Sequence, residues 1–286
     1  MRKLVFALLS FAGCLPADTR PPPAEVLVNV ESSASTRDGL VTTDGWTIHF
    51  DRVLLSVGDS DVDGDDCDSY AGAGYQRILD GRLNESQKLG LVFGLGDCSL
   101  AFRARPPDGD SILGKGITET DRDLLRIPAT DPFVSSDTAV VFLVQGSAEK
   151  AGVKKTFDWS YRARTFYEKC KVDDQTFHLD ENGKRTLALE VHAESLFLDG
   201  PDPTKAVARF DAFAAADDGD GKLTYDELTK VKIADAGLSL GDSPDPSWKT
   251  LGDWLYRGAF PRIVRFGATG VCGIRVREPK GPGGGM

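Results

Sequence analysis

The stretch GWTIHFDRV, residues 45–53, decides the fold. Trp46, Ile48 and Phe50 fall on one side of an extended chain, with Thr47, His49 and Asp51 on the other. That is the period of a half-buried strand and not of a helix. FDWSYR, residues 157–162, repeats the pattern with Phe157, Trp159 and Tyr161. Three aromatics in a row could stack on a sugar or another planar ligand, but on a half-buried strand their first use is as core. Working outward, β-branched and aromatic content or period-two alternation marks strands at 26–30, 46–57, 88–103, 139–145, 155–165 and 185–192. Short strands at such regular spacing predict an antiparallel, sandwich-like β body over residues 26–200.

The character changes near Pro201. TKAVARFDAFAAA, residues 204–216, is rich in alanine and sets Val207, Phe210 and Phe213 at helical spacing. Further helices are expected around 225–233 and 247–256, the latter with Trp248, Leu251 and Leu255 on one side until Pro261 interrupts it. GVCGIRVRE then reads as a strand within 268–278, and residues 279–286 as a flexible tail. The fold class is therefore α+β, mainly β, with a helical insertion over 201–267 near the C-terminus.

The first thirteen residues of MRKLVFALLSFAGC carry Arg2 and Lys3, an apolar run from Leu4 to Phe11, and small Ala12 and Gly13 before Cys14. This is the order of a secretory signal, and the run is too short for a bilayer, which needs roughly 20 apolar residues. The segment resembles the lipobox of bacterial lipoproteins, with Phe11 where leucine is usual. The resemblance implies export, a lipid on Cys14 and a membrane as partner, with secretion as the alternative. Leu15 after the cysteine, in place of the aspartate that retains some lipoproteins at the inner membrane, points to the outer membrane. Residues 14–25 form a proline-rich tether. Loss of the signal takes the formal charge from -10 to -12, and so acidic a surface repels phosphate backbones, which excludes nucleic acid as a partner.

Four cysteines remain: Cys67, Cys98, Cys170 and Cys272. In an oxidising compartment they make two disulfides, for which three pairings exist. Cys67 with Cys98 and Cys170 with Cys272 is favoured, because the first brackets a compact segment and the second ties the last strand to the body.

FDAFAAADDGDGKLTYDEL, residues 210–228, resembles an EF-hand, a helix–loop–helix unit for Ca²⁺. Ca²⁺ is a hard cation that takes six to eight oxygens, supplied by carboxylates on alternate residues of a tight turn and closed by a bidentate glutamate. With Glu227 as the last loop residue, Asp218 and Asp220 fall at the third and fifth positions and Gly221 at the sixth. Lys222 would offer its carbonyl, Leu223 would anchor the loop, and Thr224 would act directly or through water. The first position falls on Ala216, so either Asp217 takes over in a shortened loop or the site lacks a carboxylate. The expected ligands are Asp217, Asp218, Asp220, Lys222, Thr224 and Glu227. A second acidic stretch, GDSDVDGDDCDSY at 58–70, offers Asp59, Asp61, Asp63 and Asp65 as weaker metal candidates, and reads first as a solvated loop of turn residues.

His49, His178 and His192 have no metal-binding spacing, although His49 and His192 could pair if their strands were neighbours. No GxSxG, HExxH or phosphate-binding glycine loop is present, and no enzyme is expected. A lipid-anchored calcium-binding envelope protein is the leading reading. The alternative is a β-sandwich module for adhesion or ligand binding, with a protein or glycan partner and a vestigial EF-hand.

Overall fold

The computed structural model describes residues 20–126, 139–171, 175–240, 245–267 and 270–277. The signal segment, Cys14, most of the tether and the tail lie outside them. The strands are β1 (Ala24–Ser32), β2 (Leu40–Val41), β3 (Thr47–Ala71), β4 (Ala73–Asp80), β5 (Gln87–Ala104), β6 (Ile112–Leu113) and β7 (Phe142–Lys150). They continue with β8 (Val153–Tyr161), β9 (Arg164–Lys171), β10 (Phe177–Leu179), β11 (Lys184–Val191), β12 (Lys222–Leu223), β13 (Val264–Phe266) and β14 (Val271–Arg277). Among the described residues five short α-helices join them: α1 (Ala34–Asp38), α2 (Glu119–Arg126), α3 (Asp211–Ala216), α4 (Tyr225–Leu228) and α5 (Leu251–Asp253). The class is α+β, mainly β, as the alternating stretches lead one to expect.

The strands form one hydrogen-bonded network with the path β12-β8-β7-β3-β5-β1-β11-β13. It is mixed, which corrects the wholly antiparallel expectation: β1 runs parallel to β11, β4 to β6 and β8 to β12. Two long strands bend the network. β3 pairs with β7 through residues 47–55 and with β5 through 57–71, and its register shifts at several bulges, one of which holds Asp59 at a φ of 47°. Strands that change partners through bulges turn the corner of a sheet and let it close on its own core.

That core contains both aromatic rows. Trp46, Ile48 and Phe50 are buried, as are Phe157, Trp159 and Tyr161, while His49 and Asp51 face out. The second row is core, which removes it as a glycan-stacking surface. Phe197 links the β body to the helical part: its ring lies 5.4 Å from Phe157, 5.8 Å from Trp159, 5.4 Å from Phe210 and 5.6 Å from Phe213. A smaller cluster on the outer side of β3 packs Leu54, Ile78 and Leu143 against Leu125 of α2. Among the described residues no helix is long and apolar enough to cross a membrane.

Several boundaries differ from expectation. Helix is present only over 211–216 of the alanine-rich 204–216 stretch, because the Asp44 carboxylate accepts from the N–H groups of Phe210 and Asp211, both at 2.8 Å, and starts the helix there. Upstream, Asp199 accepts from the Val207 N–H and from Arg209, holding that segment extended. The 225–233 and 247–256 stretches become α4 and α5, each opened by a capping box, followed in the second case by a π-helical turn at Trp254–Ala259. The returning strand is β14, bonded to β9, and β13 returns earlier, inside the expected insertion. Cys67 is bonded to Cys98, and Cys170 to Cys272, fastening β14 to β9.

Candidate metal centre

The acidic loop after α3 is positioned by the sheet. Its two-residue strand β12 lies parallel to β8, with Lys222 opposite Thr156 and Leu223 opposite Phe157. The Thr156 N–H donates to the Gly221 carbonyl at 2.8 Å, and the Trp159 indole donates to the Leu223 carbonyl at 3.0 Å. Leu223 itself is buried, as its anchoring position requires. The edge of the body thus supplies the backbone partner for a loop that has no second loop beside it. Gly221 sits at a φ of 80°, a left-handed conformation that favours glycine, and makes the turn.

Within the loop, oxygens from Asp217, Asp220 and Glu227 all lie within 4.8 Å of one another, forming an acidic cluster able to hold a metal ion. Asp217 occupies the place for which Ala216 has no oxygen. Its carboxylate accepts from the N–H of Gly221 at 2.8 Å and of Gly219 at 3.0 Å, and this curls the chain around it. Glu227 closes the loop from the far side. One of its oxygens accepts from the Asp218 N–H at 2.9 Å, the other from the Thr224 N–H at 2.7 Å and the Thr224 hydroxyl at 2.6 Å. The same Glu227–Thr224 exchange caps α4, so one residue starts the helix and faces the cluster.

Three carboxylates this close repel one another and call for a cation. Lys155 supplies a positive charge, its ammonium paired with Asp217. Both side chains are withdrawn from water, at 15% exposure for Lys155 and 2% for Asp217. Lys155, with the two glycine N–H groups, holds the Asp217 carboxyl below the ordinary aspartate range despite its burial. Burial pushes the Glu227 carboxyl up, but the Thr224 hydroxyl and the N–H groups of Asp218 and Thr224 outweigh it and leave it lowered. The donor set is all oxygen, which fits a hard divalent cation and not a soft one.

Of the six expected ligands, Asp217, Asp220 and Glu227 converge. The Asp218 carboxylate is not in the cluster, and Thr224 uses its hydroxyl on Glu227. No motif singles out Lys155 in the sequence, although a signal exists: it continues the inward row of Phe157, Trp159 and Tyr161, and a charge on an inward row needs a buried counter-charge.

The second acidic stretch is strand, not loop. Its carboxylates are turned to other partners and do not converge on a common point. Asp59 pairs with Arg105 at 3.1 Å, Asp61 accepts from the Val62 N–H and the Ser69 hydroxyl, Asp63 accepts from Ser99, and Asp65 is exposed. Asp59, Asp61 and Asp63 line a shallow recess of about 230 Å³ without forming a metal-holding group. His49 and His192 do not meet either, since β5 and β1 separate β3 from β11. His192 is buried between Glu194 at 2.7 Å and Glu190 at 3.1 Å. No protein-family model, curated protein or solved structure matches the chain.

Proposed function

We propose that the chain is a lipid-anchored envelope protein that binds Ca²⁺ through the loop from Asp217 to Glu227, in a structural or sensing role. The convergence of Asp217, Asp220 and Glu227 is the observation that supports this reading. Asp217, Asp220 and Glu227 would hold the ion, with the Lys222 carbonyl as a further oxygen. The ion would supply the positive charge that Lys155 now gives alone, and would fix the loop and α4 against β8.

Export is the other half of the proposal. It rests on the order of charge, apolar run and small residues before Cys14, and on two disulfides, which persist in oxidising compartments. Extracellular calcium modules work at roughly 10⁻⁴ to 10⁻³ M, a range that suits three carboxylates partly neutralised by a lysine.

A second reading has its own observation. The Lys155 ion pair satisfies Asp217 without any metal, which favours reading the loop as a self-contained structural joint. Thermal melting in millimolar Ca²⁺ and in EDTA separates the two: a calcium centre melts several degrees higher with the ion, a joint melts identically in both. For the anchor, Cys14→Ser in the producing cell is expected to move the protein from the membrane to the soluble fraction; unchanged partition contradicts lipidation.

A further inference from the structure

A cavity of about 300 Å³ lies between β14, the turns at residues 254–262 and the loop at 198–203. It sits at the small end of ligand sites, which are mostly apolar with a few convergent polar groups. Its walls are apolar, including Leu198, Pro203, Val264 and Ile274. Among the described residues its charged groups are two arginines, Arg262 and Arg265, and none of them adds a carboxylate. In a chain of formal charge -10, a recess whose described charges are both positive stands against the net balance.

The arginines are held in place without being neutralised. Arg265 donates to the Ser195 hydroxyl at 2.6 Å, Arg262 donates to the Gly258 carbonyl, and the Arg262 guanidinium lies 5.9 Å from the centre of the Trp248 ring. The acids that bear on them are Asp245 for Arg262, and Glu194 and Glu190 for Arg265. None makes an ion pair with either arginine among the described residues, and both glutamates are engaged by His192. Burial lowers both guanidiniums from the ordinary arginine value, as expected of cations that have lost water without gaining a carboxylate. The cavity wall also has an unusual backbone. Trp254 and Ala259 belong to the π-helical turn, a form often found at functional sites. Its Gly258 is required there, since a Cβ would fall 2.2 Å from the Trp254 ring.

We propose that this cavity binds a small organic anion with an apolar body, its head group taken by Arg262, Arg265 and the Ser195 hydroxyl and its body by Val264, Ile274 and Leu198. Guanidinium groups match carboxylate and phosphate geometry, and such charge-assisted bonds are roughly twice as strong as neutral ones. Among the described residues the lining offers no imidazole, free thiol or carboxylate to act as a base, since Cys272 is in a disulfide. The site is independent of the calcium loop.

Calorimetric titration of the full mature chain with octanoate tests the site, with octan-1-ol and octyl phosphate as parallel titrants. Saturable binding of octanoate or octyl phosphate, and none of octan-1-ol, is expected; which anion binds tighter assigns the head group. Pro203→Glu places a carboxylate on the wall from an exposed loop position and leaves both arginines in place, and is expected to weaken binding about tenfold or more. Arg265→Gln is expected to do the same, with the Pro203 variant as the check if it fails to fold. Absence of saturable binding by either anion, equal binding of octan-1-ol, or unchanged affinity in Pro203→Glu would overturn the proposal.

Discussion

Lys155 is the residue on which the metal reading turns. Its ammonium pairs with Asp217, and on the proposed calcium reading it must yield when the ion binds. Lys155→Met keeps the apolar stem and removes the charge. Measured by urea denaturation in EDTA, the variant is expected to lose about 1–3 kcal/mol, because Asp217 is left buried without its partner. The same variant is expected to bind Ca²⁺ about tenfold more tightly, the competing charge having gone. Equal affinity in a calorimetric comparison would mean that Lys155 does not oppose the ion. Glu194 offers a second residue-scale test. Burial alone would raise its carboxyl, but His192 and Ser33 hydrogen-bond it and its own backbone assists, so it is lowered. A carboxylate lowered in the folded state stabilises above its unfolded pKa, and that contribution is lost as pH falls through the folded value. Arg265, which bears on Glu194, keeps its charge throughout this range and acts in the same direction. Glu194→Gln is therefore expected to be less stable than wild type by about 1–2 kcal/mol at pH 7. The gap should close in melts taken toward pH 3.

At the scale of elements, the Cys170–Cys272 bond decides how firmly β14 is held. β14 is largely exposed and pairs with β9 alone, so packing secures it little. The bond closes a loop of 102 residues, and replacing both cysteines with alanine is expected to cost about 2–5 kcal/mol. Hydrogen exchange should place most of the loosening in 271–277; uniform loosening would show that the bond supports the whole sheet instead. The strands that were legible in the sequence are those whose alternation reports burial, such as 46–57 and 185–192. The continuation of β3 through GDSDVDGDDCDSY was not legible. Asp and Gly favour turns locally, whereas pairing with β5 and the Cys67–Cys98 bond impose the strand from outside. Composition overstates the helix at 204–216 for the opposite reason: alanine favours helix, but Asp44, more than 160 residues earlier, fixes where it begins. In the candidate site, the substitution of Asp217 for the missing first ligand was visible as an option. Lys155 lies 62 residues from Asp217 and reaches it only because β12 pairs with β8.

For the molecule as a whole, the loop is not an appendage. Trp159 bonds the loop backbone, the Tyr225 hydroxyl bonds the Ser160 carbonyl, and Phe197 joins Phe210 and Phe213 to the sheet. An ion bound there should stabilise the entire cooperative unit, by about 2.7 kcal/mol at a hundred times its dissociation constant. The central claim, that Asp217, Asp220 and Glu227 hold calcium, is tested most directly by calorimetric Ca²⁺ titration of the soluble chain that begins after Cys14, alongside Glu227→Gln. The account predicts one saturable site in the wild type and a marked loss of affinity in the variant. No heat at millimolar Ca²⁺, or equal binding by Glu227→Gln, would contradict it.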